Sequence, residues 1–218
     1  MKRFTVIGLG NFGFHVAKTL FEEGHEVIAI DVDRNRVQAI SKFCTEAIVM
    51  DATEAERLKA LGFEEMNAVV VSTGTNISSS ILICLHLQEL GVKNILAKAL
   101  DEDHKKILRK VGATEIINPE KAMAVRVAKG LSTPNVLDFI PLAKGFDLLQ
   151  VDPPRAFIGK TLKELDLRAK YGVYIIAIKE LVPENFILVP PADFLIKDSD
   201  LLIMVGKDED IKRIKGLK

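Results

Sequence analysis

Three glycines and one aspartate carry the chemistry most readily read from this 218-residue chain. Gly8, Gly10 and Gly13 form Gly-x-Gly-x-x-Gly directly after the apolar, β-prone run Phe4-Thr5-Val6-Ile7. A helical pattern (Phe14, Val16, Ala17, Leu20) starts at once. In such a strand–turn–helix the first glycine makes the turn and the second lets backbone approach a pyrophosphate. The third allows helix and strand to pack closely. Unpaired N–H groups and the positive end of the helix dipole then face bound phosphate. Asp31 ends the next β-prone run, Glu26 to Ile30. A carboxylate there, about 20 residues beyond the glycines, is placed to accept hydrogen bonds from an adenosine ribose. The combination predicts adenine-nucleotide binding; the plainer alternative is a glycine-rich turn in an ordinary α/β domain.

Other polar candidates fall at the ends of later strands. Asn11 and Phe12 complete the glycine turn, and Val32 and Asp33 follow Asp31 at the adenosine rim, with Arg34 beyond them. Asp51, Ala52 and Thr53 close a third short strand, where an adenine ring usually lies; turn and helix-start chemistry is the alternative for Asp51. Thr73 ends a fourth strand. After it, Gly74, Thr75 and Asn76 could touch phosphate or ribose, or serve as a helix cap. Lys98 could meet a phosphate as a point charge or pair with a surface acid. Glu120 opens a later helix.

These residues need a sheet to converge. Strand-like runs begin near residues 4, 26, 47, 68, 94 and 115, each followed by a helical pattern. Six βα units predict a doubly wound, Rossmann-type parallel sheet in the order 3-2-1-4-5-6, spanning 1–133. Its strand Ala68 to Thr73 is continuously apolar before the final polar pair, as a strand buried on both faces should be. Thr53 is expected to cap a helix through the pattern Thr-x-x-Glu. The helix Ile77 to Leu90 is apolar most of the way round, which suggests subunit association. From 134 to 145 a short helix and linker are expected, because Pro141 and Gly145 interrupt the pattern. Strand-rich sequence from 146 to 218 then predicts a small α+β domain, with a second Thr-x-x-Glu box at Thr161.

Composition excludes several classes. Thirty basic residues balance thirty acidic ones, so no net field recruits nucleic acid. No apolar run reaches the ~20 residues a membrane helix needs, and a cytoplasmic location is expected. Cys44 and Cys84 read as free buried thiols, and the four scattered histidines form no ligand cluster. The region after 145 contains no histidine or cysteine, and Ser78-Ser79-Ser80 has no nearby base. No catalytic residue and no metal site are therefore predicted, although a small NAD-dependent oxidoreductase is the competing reading.

Several segments together resemble one family. Val6-Ile7-Gly8-Leu9-Gly10-Asn11-Phe12-Gly13, Gly24-His25-Glu26-Val27, Asp51-Ala52-Thr53 and Ile116-Ile117-Asn118-Pro119-Glu120 occur in order. Phe157 to Leu162 with Leu165, and Asp198-Ser199-Asp200-Leu201-Leu202, extend the match. The chain resembles the RCK (regulator of K⁺ conductance) proteins, the TrkA/KtrA-type subunits of bacterial K⁺ uptake systems. That resemblance implies a cytoplasmic gating subunit at the inner face of the plasma membrane. Its partners would be a membrane K⁺ transporter or channel and further copies, from a dimer to an octameric ring, or a paralogous RCK subunit. It implies an adenine nucleotide (AMP, ADP, ATP or NAD(H)) as ligand. It also implies, for some relatives, cyclic di-AMP near Gly172 to Ile178 and Pro190-Pro191. ATP-responsive relatives often carry Arg where this chain has Asn11, while Glu120 matches the family's residue at the intersubunit phosphate.

Overall fold

Phe4 to Ile7 lies at the centre of a parallel sheet. The computed structural model describes residues 1–63, 66–73, 76–132, 136–143 and 145–215. In it, β1 (Arg3–Ile7) is flanked by β2 (Glu26–Asp31) and β4 (Ala68–Val71). With β3 (Glu46–Val49), β5 (Ile95–Lys98) and β6 (Glu115–Ile117), the order is β3-β2-β1-β4-β5-β6, all parallel. This is the expected doubly wound order. The chain reverses its direction of travel across the sheet between β1 and β4, and that reversal opens a crevice at the carboxyl edge.

Both sheet faces are covered, which explains the unbroken apolar strands. Val6, Val27, Ala29 and Val70 pack with Ala17 of α1 (Asn11–Glu22) and with Val37 and Ile40 of α2 (Arg34–Ile40). Ile7, Ile30, Val69, Val71 and Ile95 pack on the other face. Their helical partners include Leu58 of α3 (Ala55–Lys59), Ile83 and Leu87 of α4 (Ile77–Glu89) and Leu108 of α5 (Glu102–Lys110). Two apolar positions of α4, Ile77 and Leu82, are left exposed, the surplus its sequence indicated.

Thr53 does not cap α3. The helix begins at Ala55 with Glu54 at its N-cap and no side-chain cap, because Asp51 takes both the amide and the hydroxyl of Thr53. Strand β3 also stops at Val49, short of Asp51.

The chain divides into two compact units, Met1–Pro119 and Glu120–Lys218. Helix α6 (Pro119–Ser132), expected from sequence as the last element of the first lobe, thus falls almost wholly in the second unit. The expected helix and linker at 134–145 is instead β7 (Val136–Ala143), paired antiparallel with β8 (Phe146–Val151). Pro141 misled the reading: β7 is an edge strand, where a missing N–H need break no ladder bond, and the register is irregular between Pro141 and Ala143. Residues 133–135 and 144 lie outside the described residues. The second sheet runs β10-β9-β11-β8-β7, with β9 (Tyr174–Leu181), β10 (Glu184–Leu188) and β11 (Asp200–Lys207), all antiparallel. Phe157, Val173, Ile178, Ile196 and Leu202 form its core with Leu165 of α7 (Leu162–Leu165), Leu167 of α8 (Leu167–Tyr171) and Ile211 of α9 (Asp208–Lys215).

Candidate functional site

The glycines of the turn have unequal duties. Gly8 sits at φ +92°, and a methyl group on it would collide with the carbonyl oxygen of Ser72 at the end of β4. A methyl on Gly13 would strike the carbonyl oxygen of Gly8, so α1 packs on the strand only through a bare Cα. Both are demanded by the fold itself. A methyl on Gly10 would meet nothing within 4 Å. The open space lies beside the N-terminus of α1, where the first-turn amides are free of intrahelical partners.

A cleft opens beyond Gly8, lined by Ile7, Asp31, Val32, Arg36, Met50, Asp51, Ala52, Thr53, Ser72, Thr73, Asn76, Ser79 and Ile83. Its polar groups come from three strand ends, from α2 and from the start of α4. Asp31 is buried, and its Oδ2 accepts from the Leu9 amide at 2.6 Å while Oδ1 accepts from the Asp33 amide at 2.9 Å. These two bonds aim the carboxylate and leave further lone pairs for a diol. Arg36 stands 3.6 Å from Asp31 Oδ2 and 3.6 Å from Asp33 Oδ2, offsetting both charges from the first turn of α2. Asp33 serves α2 directly, capping it through the Asn35 amide. Val32 is exposed at the cleft wall and offers an apolar surface to a flat ring.

Across the cleft, Asp51 Oδ1 accepts from the Thr53 amide at 2.9 Å and from its hydroxyl at 2.7 Å. Those bonds, the hydroxyl's first, hold the Asp51 carboxyl below the usual range. Asp51 Oδ2 has no hydrogen bond among the described residues. Two residues beyond β4, the Thr73 hydroxyl is buried in the lining without a partner, which in a native protein calls for water or a ligand. Asn76 caps α4 through the Ser79 amide at 3.0 Å. The edge of the sheet thus presents an aimed carboxylate, an open glycine beside a helix N-terminus and a buried hydroxyl without a partner.

The structure thus gathers Gly8, Asp31, Val32, Asp51, Ala52, Thr53, Thr73 and Asn76 around one cleft. Gly10, Asn11, Phe12 and Gly13 adjoin it as the turn and the start of α1, with Asn11 exposed and Phe12 partly packed on the core. Lys98 ends β5 and does not line the cleft. Glu120 lies in the first turn of α6, in the second unit. Gly74 lies outside the described residues. Sequence reading missed Arg36, Ser72 and Ser79. For Arg36 a signal existed, since a cation five residues after Asp31 lies one helical turn beyond the rim.

No group of three His, Cys, Asp or Glu among the described residues could hold a metal. Burial pushes the Cys84 thiol up to about 12 and raises that of Cys44, so neither is a ready nucleophile. Among the described residues no helix is long and apolar enough to cross a membrane. The second unit has its own cavity, lined by Leu162, Lys163, Leu167, Arg168, Val173, Tyr174, Ile175 and Pro190 among others. The Arg168 guanidinium lies 5.2 Å from the Tyr174 ring centre there.

Comparison with known proteins bears on both units. The TrkA-N domain matches residues 4–119 and the TrkA-C domain residues 148–217. The chain is 42% identical over 214 residues to Ktr system potassium uptake protein C of Bacillus subtilis (strain 168), covering 98% of this chain and 96% of that protein. It is 40% identical over 215 residues to Ktr system potassium uptake protein A of the same organism, covering 99% and 96%. Among solved structures, the GsuK channel bound to NAD is similar with a TM-score of 0.69 at 16% identity, over 99% of this chain and 39% of that one, a likeness of fold.

Proposed function

The chain belongs to the family defined by the TrkA-N and TrkA-C domains, and on that premise we propose that it is the nucleotide-sensing regulatory subunit of a K⁺ uptake system. It works in the cytoplasm, assembled with further copies beneath a membrane K⁺ transporter. The proposed site residues are Gly8, Gly10, Asn11, Phe12, Gly13, Asp31, Val32, Asp33, Asp51, Ala52, Thr53, Thr73, Gly74 and Asn76. Arg36 and Ser79 join them. Lys98 and Glu120, which do not line the cleft, enter only as the sequence suggested them. The observation that carries the reading is the cleft at the carboxyl edge, where an aimed Asp31 and a partnerless Thr73 hydroxyl line one space and the turn with its open Gly10 adjoins it.

The nucleotide supplies phosphate charge and a ribose diol, and this chain's residues hold them. Asp31 would accept hydrogen bonds from the diol, the α1 N-terminus would face phosphate, and Val32 and Ala52 would offer apolar surface to the base. Asn11 brings no charge to a terminal phosphate, which favours ADP, AMP or NAD(H) over ATP. A ligand gates only by binding one subunit arrangement more tightly than another, so the site controls transport through differential affinity rather than turnover. Cyclic di-AMP, which the resemblance implies for some relatives, would be a second regulatory ligand at the second unit's cavity, where Arg168 lies beside Tyr174.

Mass spectrometry of nucleotide released from denatured protein identifies the ligand. Asp31→Ala should weaken ADP binding about tenfold or more by calorimetry. Unchanged affinity removes Asp31 from the site. Steady NAD⁺ turnover, or a strictly monomeric protein in light scattering, overturns the regulatory reading.

A further inference from the structure

The only buried histidine among the described residues is His104 in the first turn of α5, at 3% exposed. Its backbone N–H donates to Asp101 Oδ1, the cap of the helix, at 2.7 Å. Its ring reaches inward. Nδ1 faces the Leu100 amide at 3.3 Å and Nε2 lies 2.9 Å from Ser80 Oγ on α4. A backbone N–H only donates, so Nδ1 carries the lone pair and the proton is assigned to Nε2. The Nε2–H then donates to Ser80 Oγ, and Ser80's own proton goes to the Ile77 carbonyl at 2.8 Å. Donation therefore runs one way, from the β5–α5 loop into the first turn of α4. Burial holds the imidazole below its ordinary value against the pull of Asp101, keeping the ring neutral at pH 7.

That turn of α4 is also a wall of the cleft. Asn76 and Ser79 line it, the Ser79 amide bonds Asn76 Oδ1, and the Ser80 amide bonds the Asn76 carbonyl at 3.2 Å. Three consecutive serines are weak helix formers, because each hydroxyl competes for backbone groups. Something outside the helix must hold them in register. We propose that His104 is a positioning residue for the cleft, fixing Asn76 and Ser79 by pinning Ser80. The inference rests on the cleft being the nucleotide site proposed above.

Two variants separate the histidine's two bonds. His104→Gln offers an amide N–H near the Nε2 position and keeps the donation to Ser80. His104→Asn offers an oxygen near Nδ1, keeping the Leu100 bond and losing Ser80. With ADP as probe, the unit shared by ATP and NAD, H104N should bind about three- to tenfold more weakly while H104Q stays within about twofold. Hydrogen exchange of the 78–81 amides in nucleotide-free protein should quicken in H104N and not in H104Q. Ser80→Ala should reproduce H104N, and the double variant should be no weaker than either alone; this smaller change also carries the test if the His104 variants fail to fold. Equal losses in H104N and H104Q, or unchanged exchange in H104N and S80A, overturn the inference. Wild-type protein that binds no ADP overturns the nucleotide reading instead. Wild-type binding matched by H104N and S80A overturns only the role of His104.

Discussion

Among the described residues each unit has the same side-chain clasp, and it does different things. In the second unit Glu164 Oε2 accepts from the Thr161 amide at 2.8 Å and from its hydroxyl at 2.9 Å. In the first, Asp51 Oδ1 accepts from the Thr53 amide and hydroxyl at nearly the same distances. At Thr161 the circuit closes, because the hydroxyl also accepts the Glu164 amide at 3.2 Å, completing a capping box for α7. At Thr53 it stays open. The clasp lies outside α3, and Asp51, Ala52 and Thr53 all line the cleft. The second unit repeats the closed style at Glu180, whose two oxygens are taken by Lys197 Nζ at 2.7 Å and Asn185 Nδ2 at 3.0 Å. The Thr161–Glu164 box and Glu180 are satisfied within their own unit, while Asp51 and Thr73, at the carboxyl edge of the parallel sheet, retain capacity for something outside it.

The sharpest version of this contrast lies inside the glycine turn. Gly13 belongs to the fold and Gly10 to the open edge. Gly13→Ala must force α1 off the strand against a backbone carbonyl, which cannot swing aside as a side chain would. Denaturant unfolding should show a loss of about 3 kcal/mol or more. Gly10→Ala has room and an extended backbone at φ −64°, so its stability should fall by no more than about 1 kcal/mol, the difference between glycine and alanine at an N-cap. Its ADP affinity should fall all the same, because the methyl enters the space left for phosphate. A G10A protein that binds ADP like wild type removes the open edge from the site.

A smaller effect should separate the two threonines. Thr161→Val removes an N-cap acceptor and should cost about 1 kcal/mol of unfolding free energy while leaving ADP affinity unchanged. Thr53→Val breaks an exposed bond outside any helix and should cost no more than about 0.5 kcal/mol. Its effect should fall on ADP affinity, by about two- to fivefold, through a less firmly held Asp51. Reversed outcomes, with T53V destabilised and binding normally, break the comparison.

How far sequence led depended on whether the deciding partner was nearby in the chain. The glycine turn and Asp31 were legible because their roles follow from local geometry: one bend, one close packing and one strand end. Six repeats of the βα unit gave the sheet order for the same reason. Thr53 was misread because Thr-x-x-Glu is a local pattern and Asp51, two residues earlier, is a stronger local competitor. Strand β7 was misread because a proline disqualifies a central strand but not an edge, and edge status is a tertiary fact. His104 looked like one of four scattered histidines until α4 and α5 packed together, 24 residues separating it from Ser80.

The finest test uses titration. Both clasps hold their carboxyl below its ordinary value, but the leading cause differs: the Thr53 hydroxyl for Asp51, the Thr161 backbone amide for Glu164. A carboxyl lowered in the folded state adds stability above its unfolded value, and that contribution is lost as pH falls through the folded one. The Glu164 contribution should therefore begin to fade only below about 4.5 and that of Asp51 below about 3.8, the ordinary values. Replacing each threonine by valine removes the hydroxyl and keeps the amide. In a carboxyl-carbon NMR titration, T53V should raise Asp51 towards 3.8 by removing its leading cause. In T161V, Glu164 should remain below 4.5, still held by the amide. Equal recoveries would mean that the open clasp at the cleft and the closed one at α7 are held by the same bond, and that their difference lies only in what surrounds them.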